Sequence, residues 1–144
     1  FIESKTVAWW DSSLLSRKPK WMTWAQVETL AQRGVDIGGH TMTHIDLGKV
    51  TPEVAIAELA GCREVLQHRL GKPIELFAYP YGGVNNLTEA NRQLVRQAGF
   101  RCCLSCNGGT VRLGDDPFRL ARVPISSWFK TPEQFALEVA LGRA

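Results

Sequence analysis

Residues 35–83 read VDIGGHTMTHIDLGKVTPEVAIAELAGCREVLQHRLGKPIELFAYPYGG, and this stretch decides the fold. Val35-Asp36-Ile37 is a short strand-like run that empties into the Gly-permissive turn Gly38-Gly39-His40. Thr51-Pro52-Glu53 then places an N-cap, a proline at the first helical position and an acid in the first turn. The helix it opens has an apolar side of Val54, Ala57, Cys62, Val65, Leu66 and Leu70, flanked by Leu59. Gly71 with Pro73 closes that helix, Ile74 to Tyr79 reads as a second strand, and Pro80-Tyr81-Gly82-Gly83 as a tight loop. A strand, a long helix and another strand in this order imply parallel strands joined by a right-handed crossover.

The alternation continues on both sides of this unit. Upstream, Thr23-Trp24-Ala25-Gln26 forms a capping box ahead of Val27, Leu30 and Ala31, and Gly34 stops the helix. Downstream, Thr88 to Ala98 reads as a helix ending at Gly99, and Phe100 to Ser105 as a strand. Turn clusters follow at Asn107-Gly108-Gly109 and Gly114-Asp115-Asp116-Pro117. Leu120 to Ile125 is a further strand candidate, and Thr131-Pro132-Glu133-Gln134 caps a last helix. The fold class is therefore α/β, either an open doubly wound sheet or a barrel of βα units. Trp9 to Lys20 is the least regular stretch and reads as an insertion or surface loop. Its Trp9-Trp10 pair is either a sugar platform or an anchor for that loop.

Composition limits the partners. A chain of 144 residues fits one domain, and 44% apolar with 22% charged residues excludes extended disorder. Seventeen basic residues against 14 acidic ones give a net charge of +3, scattered apart from Arg17, Lys18 and Lys20, which is too little for a nucleic-acid footprint. No run approaches the roughly 20 apolar residues needed to cross a bilayer. The chain opens at Phe1 without Met, a charged n-region or a cleavage site, and so reads as processed or shortened. Bacterial cell envelope and cytoplasm are both compatible with it. Cys102, Cys103 and Cys106 fall together and Cys62 stands apart, which is not the two-pair spacing of a zinc site, so free thiols are expected.

Two constellations carry chemistry. His40-Thr41-Met42-Thr43-His44 sets two imidazoles four residues apart, directly after a strand and a Gly-Gly hinge, where active-site loops of βα proteins lie. Both rings can face one divalent ion, but a catalytic zinc takes three protein ligands, so a carboxylate must join them. The residue after His40 is Thr, which excludes the HExxH protease arrangement. Phe77-Ala78-Tyr79-Pro80-Tyr81-Gly82-Gly83 ends the second strand in a sharp turn whose backbone N–H groups could hold an oxyanion.

Together these motifs resemble the polysaccharide deacetylases of the NodB-homology type, carbohydrate esterase family 4, over Trp21 to Ile125. His40-Thr41-Met42-Thr43-His44 looks like the family's metal motif H-[ST]-x-x-H, and Tyr79-Pro80-Tyr81-Gly82 like its P-Y-G groove motif. The resemblance implies a distorted (β/α) barrel, incomplete here, that removes N-acetyl groups from an N-acetylglucosamine-containing polysaccharide. It implies a divalent metal, zinc first, on His40 and His44, polarising the acetamide carbonyl and activating a water. The Tyr81 N–H would help hold the oxyanion, and Pro80, Tyr81 and Trp128 would line the sugar groove.

The departures from the family pattern matter as well. The Asp-Asp pair that supplies the family's base and third ligand has no counterpart before His40, where the acids are Glu3, Asp11, Glu28 and Asp36. The chain is thus expected to be one deacetylase-like domain, residues 1–144, shortened at its N-terminus. Ala78 stands where many members carry an Arg, and Arg122 is the candidate for a displaced one. No L-x-H motif with a general-acid His appears in the C-terminal third. Two other readings stay open. One is a glycan-binding accessory domain with Trp9, Trp10, Tyr81 and Trp128 as platforms. The other is a different metal hydrolase whose acidic ligand is Asp46 or Asp36. A homodimer formed through exposed strand edges is a further expectation.

Overall fold

The structure, a computed structural model, describes Ile2, residues 21–123 and residues 129–141. Its first helix, α1 (Trp24–Gln32), begins where the capping box places it. Thr23 Oγ1 accepts the Gln26 N–H at 3.3 Å, and Gln26 Oε1 accepts the Thr23 N–H at 2.8 Å. Its C-terminal closure consumes the next few residues: Gly34 turns at φ +86°, and the Val35 N–H folds back to Leu30 O at 3.0 Å. The strand expected over Val35-Asp36-Ile37 is therefore absent, because that backbone is still closing a helix. Sheet pairing begins only at Gly39, whose N–H donates to Leu76 O at 2.8 Å and whose carbonyl accepts the Ala78 N–H at 2.9 Å.

Helix α2 (Pro52–Leu70) starts on its proline and ends on Gly71 at φ +63°, both as expected. Its buried stripe is Ala55, Leu59, Cys62 and Leu66, a single line at helical spacing. This corrects the expected apolar side, since Val54, Ala57 and Val65 are exposed. The helix carries apolar residues on more than one face, so periodicity alone left its phase open, and packing under the sheet chose it.

Strands β1 (Leu76–Ala78) and β2 (Cys102–Leu104) pair in parallel, with Phe77 opposite Cys103. Single parallel bridges add Gly39 beside Phe77 and Leu120 beside Leu104. Four backbone segments thus lie side by side in their sequence order, with α2 and α3 (Glu89–Gln97) in the first two crossovers. The expected strand from Leu120 is reduced to its first residue within the described part, and Pro124 and Ile125 lie outside it. The core joins Leu59, Cys62 and Leu66 of α2 to Ile74, Phe77, Tyr79, Val95, Phe100 and Cys103. Side chains of this size contribute about 1.5–3 kcal/mol each when fully buried. Gly39 is required by this packing, since a Cβ there would lie 2.8 Å from the Phe100 ring.

Helix α4 (Pro132–Leu141) is capped by Thr131, whose Oγ1 accepts the Gln134 N–H at 3.3 Å, and no residue of it is buried. All four cysteines are free, with Cys62 and Cys103 buried. No helix among the described residues is long and apolar enough to cross a membrane. Trp9, Trp10 and Trp128 lie outside the described residues.

Candidate active site

The two sequence constellations meet at the ends of the parallel segments. His40 leaves the Gly39 bridge and its Nδ1 lies 2.6 Å from the carbonyl oxygen of Ala78, the last residue of β1. A carbonyl can only accept, so Nδ1 carries the proton and Nε2 keeps the lone pair. His44 returns to the same place, its ring centroid 4.7 Å from that of His40 in an edge-on arrangement. Desolvation is the main cause that holds both imidazoles below the usual histidine pKa. For His40 the neighbouring His44 and Arg122 charges push the same way, against the Ala78 hydrogen bond. Although His40 keeps an exposed edge, surrounding protein removes enough water from its ring for this to hold. Both rings are therefore neutral at neutral pH, the form that ligates metal.

Bringing the rings together costs backbone strain. Thr41 and His44 adopt φ of 62° and 60°, left-handed values that a β-branched residue such as Thr rarely takes. The second loop contains the third such residue, Tyr81, at φ 64°. Its neighbours close a three-residue turn in which the Gly82 N–H donates to Pro80 O at 2.7 Å. Each position costs on the order of 1–3 kcal/mol, and all three non-glycine positive-φ residues among those described lie in these two loops.

Tyr81 is exposed and sets its ring edge-on to His44 with centroids 5.1 Å apart, so His40, His44 and Tyr81 form one continuous surface. No described residue accepts the Tyr81 N–H. Pro80, expected on the groove wall, is instead fully buried beneath the turn. Gly82 at φ +62° leaves no room for a side chain, since a Cβ would lie 2.8 Å from Cys106 N and Sγ. Arg122 Nε donates to Ser105 O at 3.2 Å and its terminal nitrogen lies 2.9 Å from Cys106 Sγ, which anchors the guanidinium at the flank of this turn.

Three further residues organise the site, and of these only Asp46 was singled out from the sequence, as a possible metal ligand. Glu58 of α2 receives the Met42 and Thr43 N–H groups and the Thr43 hydroxyl. Asp46 Oδ1 accepts the Gly48 N–H at 2.9 Å and Asn86 Nδ2 at 2.5 Å, and Asn86 Oδ1 accepts the Gly83 N–H at 2.9 Å, tying one loop to the other. The sequence does offer a signal for Glu58: once α2 is correctly phased, it stands on the shoulder of the buried stripe beside Leu59.

Asp46 is thus committed to backbone, Asn86 and the Lys49 ion pair, while Asp36 is exposed. Among the described residues no group of three His, Cys, Asp or Glu side chains could hold a metal ion. Neither Asp46 nor Asp36 is grouped with the His pair among the described residues. The His pair itself fits a divalent metal, as two neutral imidazoles with one tautomer fixed by a carbonyl.

The polysaccharide deacetylase family profile matches residues 3–103, and the chain belongs to that family. YxkH of Bacillus subtilis, which is named for the same family, is 24% identical over 105 residues, 73% of this chain and 37% of its own length. Among solved structures, the Streptococcus pyogenes deacetylase PplD in complex with acetate aligns at a TM-score of 0.71 and 20% identity, covering 88% of this chain and 53% of PplD. A Bacillus cereus polysaccharide deacetylase aligns equally well, at 0.71 and 24% identity, over 90% of this chain and 39% of that protein. The chain shares the fold of these proteins and spans between about a third and a half of their lengths.

Proposed function

We propose that this chain carries the metal-binding loop and groove turn of a hydrolase that removes N-acetyl groups from an N-acetylglucosamine-containing polysaccharide. The observation that carries the reading is the His40–His44 pair at 4.7 Å, with Nδ1 of His40 committed to Ala78 O. The four parallel segments would be one wall of a distorted (β/α) barrel. His40 and His44 would hold the divalent ion, zinc in the first instance, with a third ligand and the catalytic base from outside the described residues. When bound, that ion supplies Lewis-acid polarisation of an acetamide carbonyl and of the attacking water.

The chain's own residues account for the rest of this reading. The Tyr81 N–H, which no described residue accepts, would be a donor for oxygen charge that develops on the acetamide. The Tyr81 ring, edge-on to His44, offers an apolar face for a sugar ring beside the metal ligands. Pro80 acts from below, fixing the backbone that aims Tyr81. Arg122, anchored by Ser105 and Cys106, contributes positive potential near His40. Trp128 is a further candidate for the groove wall.

The test is acetate release from N-acetylglucosamine oligomers by the zinc-loaded chain joined to a segment that supplies the family's Asp-Asp pair. Release that disappears in His40→Ala and His44→Ala supports the reading. Glycan binding with no release, unchanged by either substitution, would show a binding module instead.

A further inference from the structure

We infer that Glu58 is the positioning residue of the histidine loop: its carboxylate on α2 holds residues 41–44 in the strained conformation that brings the two imidazoles together. The inference rests on the proposed role of His40 and His44. Between the two left-handed residues, Thr41 and His44, lie only Met42 and Thr43. Their N–H groups both donate to Glu58 Oε2, at 2.8 and 2.9 Å, and the Thr43 hydroxyl donates to Oε1 at 2.8 Å.

Three donors on one carboxylate form a charge-assisted clamp, stronger than three neutral hydrogen bonds. The clamp spans the interval over which the backbone must reverse for His44 to return beside His40. Helix α2 is a rigid base for it, since Ala55, Leu59 and Cys62 on either side of Glu58 are buried in the core. Two strained dihedrals persist only where surrounding structure over-determines them. The Glu58 bonds supply that constraint on one side of the loop, and the Ala78 carbonyl fixes the His40 ring on the other.

The decisive test reads the loop without metal. In the whole chain, amide exchange at Met42 and Thr43 and the nuclear Overhauser contact between the two imidazoles are measured for wild type, Glu58→Ala, Glu58→Gln and the exposed α2 control Glu64→Ala. Glu58→Ala is expected to speed exchange at both amides at least tenfold and to lose the ring contact, while amides of α2 stay protected. Glu58→Gln should restore part of both, because its amide oxygen still accepts N–H groups and the Thr43 hydroxyl can turn to accept from its NH2. A wild-type ring contact in Glu58→Ala overturns the inference. Should that variant lose the fold, Glu58→Gln decides, with intermediate exchange supporting the inference and wild-type exchange overturning it. Zinc titration separates this inference from the metal proposal. Zinc binding that survives His40→Ala with His44→Ala sinks the metal site and leaves the loop result standing. If the histidines are required, Glu58→Ala should weaken zinc roughly 10- to 100-fold, with partial recovery in Glu58→Gln. Unchanged affinity would contradict a positioning role.

Discussion

The histidine loop, residues 40–47, and the tyrosine loop, residues 79–86, both hold non-glycine residues in left-handed backbone, yet they are held by different means. The first is pinned by carboxylates: Glu58 takes three donors from it, and Asp46 closes its far end onto Gly48 and Asn86. The second is pinned by packing and its own turn. Pro80 is buried, Gly82 presses on Cys106, and the Cys106 N–H donates back to Gly82 O at 2.9 Å. Polar bonds fix where the two imidazoles lie while leaving an exposed edge open to solvent. Steric packing fixes the turn that leaves the Tyr81 ring exposed beside His44.

Breaking the packed loop should cost the most. Gly82→Val combines a left-handed β-branched residue with a clash at 2.8 Å against the Cys106 backbone, and a loss of about 2–5 kcal/mol is expected in chemical denaturation. Next comes the tie between the loops: Asp46→Ala leaves the Asn86 amide and the Gly48 N–H without their acceptor and should cost about 1–3 kcal/mol. Combined with Asn86→Ala, it should show a coupling energy of at least about 0.5 kcal/mol in a double-mutant cycle.

The same tie has a pH signature. Desolvation raises the Asp46 carboxyl, but hydrogen bonds from Gly48, Lys49 and Asn86 outweigh it and leave the pKa below the ordinary value of 3.8. A carboxyl with a depressed folded pKa gives its full stabilisation above the unfolded value and loses it as pH falls through the folded one. The stability gap between wild type and Asp46→Ala should therefore be constant above about pH 4 and narrow on further acidification; a gap that widens in acid would contradict the assignment. Smallest is Tyr81→Gly. Relief of left-handed strain and the extra chain entropy of glycine nearly cancel, so stability should change by less than about 1 kcal/mol while acetate release falls sharply. A parallel fall in both would place Tyr81 in the fold and not in the chemistry.

Much of this architecture was legible in local chemistry. The Thr23–Gln26 capping box, the Thr51-Pro52 start, the Gly71 stop and the strand within Ile74 to Tyr79 all lie where short-range rules put them. The His and Tyr motifs lie side by side, with His44 between His40 and Tyr81. Elements whose form depends on distant partners were not legible. Val35-Asp36-Ile37 is the local exception: its composition is strand-like, but the Val35 N–H closes α1 on Leu30 O. Val54 and Val65 suggested a face of α2 that the core does not use. Glu58 bonds to backbone 15 and 16 residues away in sequence, and Asp46 to Asn86, 40 residues away; side-chain bonds to a distant loop leave no periodic trace.

The central claim is that His40 and His44 hold a divalent metal. Its most direct test is the metal content per chain after purification without chelator, for wild type and for the His40→Ala, His44→Ala double variant. Near-stoichiometric zinc in wild type that is lost from the double variant is the predicted result. Equal metal in both, or none in wild type even after zinc is supplied, would contradict it.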